Sequence, residues 1–259
     1  MRTTLTMLIH GDSGVGKSWL ADTAPAPRLV LDAEGRAKYT PSQPKVSWDP
    51  REGPPPAADG SWDTCVVNVA DFDTLNLAYQ WLRSGQHHFK SVVIDSLMEA
   101  QKRCIDQVAG TNALVQQDWG TLLRKLEGLI RSYRDLTLIT NNSTQVVVFI
   151  VGSRQVEGKH EPLLQGQLHD TVPYYLDVVG YYFVAAVPDG AGGQVYQRQL
   201  LVQPQPGFVA KDGTGRLGGP ILAEPNIAQM VELLHLNGKP EELPNTGDPV
   251  ATTSEGGAV

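Results

Sequence analysis

Residues 11–18 carry the strongest chemical signal in the sequence. They form a G-x-x-x-x-G-K-S pattern between a short apolar run and a segment of helical character. Glycines in such a loop let the backbone curl, so that successive N–H groups and the positive end of the following helix face one anion. A chain of phosphates fits this arrangement. We therefore predict a nucleotide site formed by Gly11, Asp12, Ser13, Gly14, Val15, Gly16, Lys17 and Ser18.

The last two residues of this pattern have separate predicted tasks. The ammonium group of Lys17 is expected to reach the β and γ phosphates, and the Ser18 hydroxyl is expected to coordinate Mg²⁺. The alternative is a glycine-rich turn between a strand and a helix, followed by a chance Lys-Ser pair. The flanking strand and helix favour the phosphate site, with the phosphates of a nucleotide and Mg²⁺ as its ligands.

A magnesium–phosphate site needs a second acid at the end of a nearby hydrophobic strand, and Asp95 meets this requirement. It follows directly on the apolar run at residues 91–94. We predict that Asp95 holds Mg²⁺ through water and helps to hold Ser18. The alternative is that Asp95 serves as the N-cap of a helix that begins near Ser96.

Two further acids, Asp32 and Glu34, follow the apolar run at residues 28–31. Ligands bind at the carboxyl ends of the strands in open α/β sheets, and these two residues share one side if the strand continues that far. Glu34 has the longer side chain, so it is the predicted group that orients or deprotonates the attacking water, while Asp32 holds the loop. The alternative is that both are solvated turn residues before Gly35.

Short apolar runs bounded by turn residues predict the strands that must position these groups. They are typical of a buried parallel sheet and cover residues 5–9, 28–31, 91–94 and 145–151. Helical patterns lie between them at residues 17–23, 71–83 with Asp71 as the N-cap, 96–109 and 118–133. This alternation predicts an α/β fold with a mostly parallel central sheet flanked by helices.

The pattern changes after residue 175. Turn residues at Asp189-Gly190, Pro204 and Pro206 separate three β-rich segments, at residues 178–187, 195–203 and 207–211. They predict an antiparallel C-terminal extension of the sheet. A final helix is predicted at residues 225–236, with Pro225 in its first turn.

Two segments stand apart from this core, which is predicted to span residues 1–236. Residues 36–63 hold a cluster of prolines that cannot continue a helix or a central strand, so we predict a long surface insertion there. Residues 237–259 contain almost no large apolar side chain. They are predicted to form a disordered acidic tail, because they cannot offset the entropy of ordering.

Composition excludes several classes of protein. The 259 residues suffice for one full core, and 28 acidic against 21 basic residues give a formal charge of −7. This balance excludes a strongly basic nucleic-acid binder but leaves room for local basic loops. The two cysteines, Cys65 and Cys104, lack metal-binding spacing and fit a reducing compartment, so we predict two free, mostly buried thiols. The longest apolar run, residues 146–151, is too short to cross a membrane. We expect a soluble, cytoplasmic protein without a membrane partner.

The motifs together resemble those of RecA-like P-loop ATPases, in particular the short phage-encoded RecA-like proteins of the Sak single-strand-annealing type, which are phage AAA-type nucleotide-binding proteins. The Leu-Asp-Ala-Glu segment at residues 31–34 is similar to the RecA segment that bears the catalytic glutamate. The Val-Val-Ile-Asp-Ser-Leu segment at residues 92–97 is similar to its Walker B segment. The resemblance spans residues 5–236 and implies a RecA-like P-loop fold, ATP hydrolysis and assembly into a homo-oligomeric ring or filament.

Residues 208–212 resemble the late strand from which RecA and DnaB-type ATPases send a lysine or arginine into the neighbouring subunit's nucleotide site. The resemblance implies this catalytic role for Lys211. Gly213 stands where the DnaB-type pattern has an arginine, so Arg216 is the nearest arginine that could act with Lys211. The alternative is that both are solvated cations on a glycine-rich hairpin.

Gly152 stands where the corresponding strand of RecA-like proteins ends in a polar sensor, glutamine or histidine. Ser153 and Gln155 are the candidate substitutes. This departure places the coupling between nucleotide and DNA in question.

Residues 152–173 correspond in the resemblance to the second DNA-binding loop of RecA. Arg154, Lys159 and His160 are therefore candidate DNA-binding residues. Two glutamates in the same segment offset their charge, so the alternative is an ordinary surface loop.

The resemblance implies an Mg²⁺-dependent ATPase that acts on single-stranded DNA in phage recombination or replication, as an annealing protein or recombinase. The partners it implies are single-stranded DNA, further copies of the chain, and a single-strand binding protein or replisome component. One alternative is an assembly or helicase-loader module that ATP switches without strand annealing. A small-molecule kinase is disfavoured, because Glu34 lies where a water-activating residue belongs and no arginine-rich lid segment follows Asp95.

Overall fold

The structure is a computed structural model and describes residues 3–110, 112 and 114–236. Its strands are β1 (Leu5–Gly11), β2 (Arg28–Asp32), β3 (Lys45–Ser47), β4 (Thr64–Asn68), β5 (Ser91–Asp95), β6 (Val146–Val156), β7 (Lys159–Pro162), β8 (Val178–Pro188), β9 (Gln194–Leu201), β10 (Lys211–Asp212) and β11 (Ile221–Ala223). Its α-helices are α1 (Lys17–Ala21), α2 (Phe72–Arg83), α3 (Leu97–Ala109), α4 (Gln116–Asp135), α5 (Leu168–Tyr175) and α6 (Ile227–Leu236). The predicted α/β fold is confirmed.

One sheet runs through the molecule in the order β11-β9-β8-β1-β6-β5-β2-β4-β3, with β10 paired to β8 and β7 paired to β6. The seven strands from β8 to β3 are mutually parallel. The four apolar runs predicted as strands are all in this parallel part. Strand β6 lies between β1 and β5, so it separates the strand that leads into the phosphate loop from the strand that ends in Asp95.

Helices cover both faces of the sheet because neighbouring strand residues point to opposite sides. On one face, Leu8 of β1 joins an apolar cluster with helices α2 to α5. On the other face, Met7 and Ile9 join a cluster with α1 and α6. The carboxyl ends of the parallel strands remain uncovered by these layers, which leaves that edge for the site.

The side chains that begin two of the helices fit the sequence predictions. Asp71 accepts a hydrogen bond from the Thr74 main-chain N–H at 2.9 Å and is the N-cap of α2, as predicted. The N-cap of α3 is Ser96, which accepts from the Glu99 N–H at 3.4 Å. Helix α3 therefore begins without help from Asp95, and the N-cap interpretation of that aspartate is wrong.

The antiparallel extension is confirmed at β8 and β9, which pair in register from Tyr181–Leu201 to Pro188–Gln194 around the predicted Asp189 turn. The predicted strand at residues 207–211 is wrong. Strand β10 holds two residues, and Phe208 makes isolated bridges to His160 and Gln205. The prolines at 204 and 206 prevent a longer ladder because proline lacks the N–H donor.

The proline-rich segment at residues 36–63 contributes more to the fold than a surface insertion would. It supplies β3, the edge strand of the sheet, which pairs with β4. Trp48 and Trp62 are both 7% exposed and pack against Phe89, with ring centroids 6.2 and 5.9 Å apart. An edge position suits this segment, because its prolines flank the strand and leave its three-residue ladder intact.

Three further predictions concern parts outside the site. Cys65 and Cys104 are free and buried, as predicted, and burial raises the pKa of their thiols to about 12 and about 11. The predicted acidic tail at residues 237–259 lies outside the described residues. Within residues 3–236, as far as the structure describes them, no helix has the length and apolar character needed to span a membrane.

Candidate active site

The phosphate loop runs from the last residue of β1 to the first residue of α1, and three glycines shape it. Gly14 and Gly16 have φ values of 84° and 101°, in the left-handed region that favours glycine. Gly11 has a different constraint: a Cβ atom there would lie 2.2 Å from the main-chain oxygen of Tyr182 in β8. The loop therefore approaches the neighbouring strand as closely as a backbone without a side chain allows.

Lys17 closes this loop from inside. Its Nζ donates hydrogen bonds to the main-chain oxygens of Gly11 at 2.8 Å and Asp12 at 2.7 Å. Burial lowers the pKa of this ammonium group, while the negative charges of Asp95 and Glu34 act in the opposite direction. The cation thus lies where the carboxylates of two other strands attract it, on the cavity side of the loop.

Ser18 and Asp95 meet across the strand β6 that separates their elements. The Ser18 hydroxyl donates to Asp95 Oδ2 at 2.6 Å. Asp95 is 4% exposed, and this burial raises the pKa of its carboxyl to about 6. The hydrogen bond from Ser18 lowers this pKa, whereas the nearby carboxylates of Glu34 and Asp32 raise it further. A buried carboxylate with a hydroxyl beside it is a set of hard oxygen donors, and a divalent cation such as Mg²⁺ prefers such donors. These two residues therefore fit the predicted metal site.

Asp32 organises the loop that carries Glu34. Strand β2 ends at Asp32, and its carboxylate accepts from the main-chain N–H groups of Glu34, Arg36 and Ala37 at 3.2, 3.1 and 2.8 Å. The strand does not continue to Glu34, because these hydrogen bonds fold the chain into a turn, so Asp32 and Glu34 do not share one side of it. The predicted task of Asp32, holding the loop, matches this geometry.

Glu34 lies over the amino end of α3. Its Oε1 accepts a hydrogen bond from the Ser96 hydroxyl at 2.5 Å, and its Oε2 lies 3.3 Å from Arg36 Nε. Ser96 thus serves the helix and the carboxylate at once. The turn set by Asp32 and the cap of α3 together fix where the Glu34 carboxylate sits.

A cavity of about 490 Å³ joins these groups at the carboxyl edge of the sheet. The predicted residues that line it are Asp12, Ser13, Gly14, Gly16, Lys17, Ser18, Glu34 and Asp95. Gly11 and Val15 are absent from its wall: Gly11 lies beneath the loop against β8, and Val15 packs on an apolar cluster. The convergence follows from the parallel sheet, because the ends of β1, β2, β5 and β6 meet at one edge.

Sequence reasoning did not identify several side chains at this cavity. Arg36, Trp19, Tyr39 and Ser96 line it as well. Each of them lies within five residues of a predicted site residue, so closeness in the sequence could have indicated them.

Arg198 had no such signal. It lies on β9, yet its Nε donates to the Val15 main-chain oxygen at 3.3 Å, and its guanidinium lies 5.5 Å from the Trp19 ring centroid. The antiparallel extension thereby braces the phosphate loop from the side. A contact between residues so distant in the chain depends on the pairing of β8 with β1, which no local pattern encodes.

Lys211 and Arg216 are absent from the wall of this cavity. Lys211 Nζ donates to the main-chain oxygens of Leu176 at 2.7 Å and Pro173 at 3.2 Å, at the end of α5. Arg216 is exposed in a turn that Asp212 holds through the Thr214 and Leu217 N–H groups. Their predicted action on a neighbouring subunit stays a prediction.

The predicted DNA-binding loop at residues 152–173 is a different structure from the one expected. Strand β6 continues to residue 156 and forms a hairpin with β7, and α5 follows. Arg154 pairs with Glu161 at 2.8 Å, the His160 ring stacks on Phe208 at 5.0 Å between centroids, and Lys159 is exposed. Their role in binding DNA stays a prediction.

The start of this hairpin belongs to the cavity, since Gly152 and Ser153 line it. The Ser153 hydroxyl lies 3.3 Å from Nδ1 of His10, the residue before the phosphate loop. Of the two candidate substitutes for a polar sensor, Ser153 therefore reaches the cavity, whereas Gln155 is exposed on the hairpin.

A phosphate loop after a central parallel strand, with Asp95 at the end of β5 and Glu34 in the turn after β2 around its lysine and serine, defines the class of P-loop ATPases. A family profile described as "AAA domain" matches residues 3–214. The chain belongs to this AAA domain family and is an ATPase.

The other comparisons are more distant. No curated protein matches the chain. Among solved structures, an ATPase from the type III secretion system of pathogenic bacteria matches with a TM-score of 0.47 and 14% sequence identity. The match covers 91% of this chain and 63% of that one, so this chain spans less than two thirds of that protein's length.

Proposed function

We propose that this chain is an Mg²⁺-dependent, RecA-like ATPase of the Sak type that assembles into a ring or filament and acts on single-stranded DNA in phage recombination or replication. The observation that carries the proposal is the convergence of Lys17, the Ser18–Asp95 pair and Glu34 on one cavity. These are a phosphate-binding cation, a set of metal-binding oxygens and a carboxylate that can act on water. The resemblance in the motifs supplies the DNA partner and the phage context.

The phosphate loop would bind the β and γ phosphates through its main-chain N–H groups and the ammonium group of Lys17. Ser18 would contribute its hydroxyl oxygen to Mg²⁺, and Asp95 would act through water. When bound, the ion neutralises phosphate charge during transfer. Since Ser18 and Asp95 already share a hydrogen bond, both oxygens are in place before the substrate enters.

Glu34 would act on the attacking water. Its carboxylate can accept the proton as the water oxygen bonds to the γ phosphorus and the bond from that phosphorus to the β–γ bridging oxygen breaks, which releases ADP and phosphate. Ser96 fixes Oε1 of this carboxylate, and Arg36 Nε lies 3.3 Å from Oε2. The turn formed around Asp32 keeps the main chain of Glu34 in place during this step.

Two substitutions test the ATPase site through phosphate release and nucleotide binding. Lys17→Ala should abolish both, because it removes the cation that the loop holds against the phosphates. Glu34→Gln should bind ATP but hydrolyse it on the order of 10²-fold more slowly, because the amide cannot take the proton. Lys102→Ala, which changes an exposed lysine on α3, is the control and should match the parent. Parental hydrolysis by Lys17→Ala would contradict the assignment.

Single-stranded DNA is the proposed partner of the β6–β7 hairpin. The hairpin begins at the cavity wall with Ser153 and carries the exposed Lys159, so a strand bound there would contact an element that forms part of the nucleotide cavity. Phosphate release should rise when single-stranded DNA is added, and Lys159→Ala should weaken that stimulation more at low salt than at high salt, because losing a phosphate contact also reduces the salt dependence of binding. Lys38→Ala, an exposed lysine away from the hairpin, is the control.

The alternative of an ATP-switched assembly module also has an observation in its favour. Arg154 is paired with Glu161, and His160 is stacked on Phe208, so both side chains have partners within the chain. Slow phosphate release that single-stranded DNA leaves unchanged, together with ATP-dependent assembly, would support this module over the DNA-dependent ATPase.

Assembly is tested by mixing two inactive variants. Lys211→Ala with Arg216→Ala keeps the phosphate loop, whereas Lys17→Ala keeps the two cations that the resemblance assigns to the neighbouring site. If each site needs two subunits, mixed assemblies should regain activity where an intact loop meets intact cations. Variants that co-assemble without regaining activity, or a double variant with the parental rate, would contradict the shared site.

A further inference from the structure

The cavity holds a second cation, Arg36, that belongs to none of the motifs. Lys17 and Arg36 are the cationic side chains on its wall within the part of the chain that the structure describes. Both side chains can contact an anion that binds in this cavity, and hydrogen bonds from cationic side chains to phosphate are among the strong ones in proteins.

The main chain and the side chain of Arg36 differ in how firmly they are held. Its main-chain N–H donates to Asp32 Oδ1 at 3.1 Å, which fixes the residue at the cavity rim. Its side chain is 60% exposed and makes an ion pair with Glu34, which is 23% exposed, at 3.3 Å. A solvent-exposed ion pair of this kind contributes little free energy, so a stronger anion can displace the glutamate.

Glu34 has both carboxylate oxygens engaged in this arrangement. Oε1 accepts from Ser96, and Oε2 faces Arg36. A carboxylate that is to hold a water molecule needs one oxygen with open acceptor positions, and Oε2 is the oxygen that Ser96 does not hold. When the guanidinium group of Arg36 leaves Glu34 for a bound anion, Oε2 becomes available to accept a hydrogen bond from water.

We propose that Arg36 is a γ-phosphate-binding residue that acts on the site of its own subunit and leaves Glu34 when ATP binds. A pair of oxygens on the tetrahedral γ phosphate can accept both N–H donors of the planar guanidinium group, which suits that group better than a single carboxylate oxygen at 3.3 Å. ADP lacks this phosphate, so the ion pair with Glu34 re-forms after the reaction. The inference rests on the proposed ATPase site and adds a cation to it that requires no neighbouring subunit.

The test compares the affinity for AMP-PNP, an ATP analogue that is not hydrolysed, with the affinity for ADP. Arg36→Ala should weaken AMP-PNP binding about tenfold and change ADP binding less than about twofold, because the lost contact is to the γ phosphate. Arg36→Lys should recover part of the affinity. Arg51→Ala is the matched control, since Arg51 is 41% exposed and pairs with Asp71 away from the cavity; it should match the parent.

A second background separates phosphate binding from mere support of Glu34. In Glu34→Gln the ion pair is absent, so Arg36→Ala should still weaken AMP-PNP binding about tenfold if Arg36 contacts phosphate. Loss of the effect in this background, or an equal loss of ADP and AMP-PNP affinity, would overturn the proposal. If the parent bound neither nucleotide, the proposed ATPase site would be overturned instead. Lys17→Ala tests that site independently of Arg36, because it should abolish binding of both nucleotides.

Discussion

His10 should make the stability of this protein depend on pH, because its imidazole is buried beneath the phosphate loop. The side chain is 0% exposed, and Nε2 donates to the Val209 main-chain oxygen at 2.7 Å. Burial lowers the pKa of His10 from 6.5 to about 4, although the hydrogen bond to Val209 opposes this shift. The folded protein therefore holds a neutral imidazole at pH values where the unfolded chain would bind a proton.

The sign and size of the effect follow from these two pKa values. Between them the unfolded state binds more protons than the folded state, so stability rises with pH. The contribution of His10 is complete above the unfolded pKa of 6.5 and is lost as pH falls toward about 4. Integrated between about pH 8 and about pH 5, the difference in the free energy of unfolding is about 2 kcal/mol.

Urea unfolding at these two pH values provides the assay, with His10→Gln as the test variant. Glutamine can donate to the same carbonyl but does not titrate, so the parent should lose about 2 kcal/mol more than this variant when the pH is lowered. Asp95, whose pKa burial raises, acts in the opposite direction in both proteins and cancels in the comparison. His88→Gln, at an exposed histidine, should behave like the parent. Equal losses in the parent and in His10→Gln would refute the reasoning.

Three further predictions concern the loop, the metal oxygens and α5. Gly11→Ala should lower the free energy of unfolding by about 2 kcal/mol or more, because the new Cβ would lie 2.2 Å from a main-chain oxygen. Gly120→Ala on α4 is the control: its Cβ would have no atom within 4 Å, so the same urea titration should show unchanged or higher stability. Asp95→Asn should shift the Mg²⁺ dependence of phosphate release more than nucleotide affinity, and unchanged magnesium titrations would contradict its metal role. Lys211→Ala should cost about 1–2 kcal/mol of unfolding free energy by removing two hydrogen bonds to the end of α5. If this variant loses ATPase activity at protein concentrations at which subunits assemble, but not at lower concentrations, Lys211 acts on the nucleotide site of a neighbouring subunit.

The sequence allowed the centre of the site to be predicted because its parts obey local rules. A glycine-rich loop between strand and helix, and acids directly after apolar runs, place their groups at the same edge of any parallel sheet. Lys17, Ser18, Asp95 and Glu34 accordingly line one cavity. Even here the local geometry differed, because the Asp32 turn replaced the expected continuation of the strand.

What the sequence did not predict depends on contacts between distant segments. The edge strand β3 forms because it pairs with β4, and Trp48 and Trp62 are buried because both pack against Phe89. Arg198 reaches the phosphate loop solely because β8 pairs with β1. Propensity and periodicity describe single segments, so partners that tertiary pairing supplies are invisible to them.

Strand β6 has a mechanical consequence that follows from its length. Its first six residues are buried between β1 and β5, and Gly152 still pairs with Gly11 of β1, whereas the part from Ser153 to Val156 extends beyond the parallel strands and pairs with β7. At about 3.3 Å per residue, that projecting part is about 13 Å long. The hairpin joins the nucleotide cavity, through Ser153, to the segment before β10, because His160 of β7 accepts a main-chain hydrogen bond from Val209 and donates one to Gly207. A change in the position of Ser153 would therefore be transmitted along this length of β-structure to that segment.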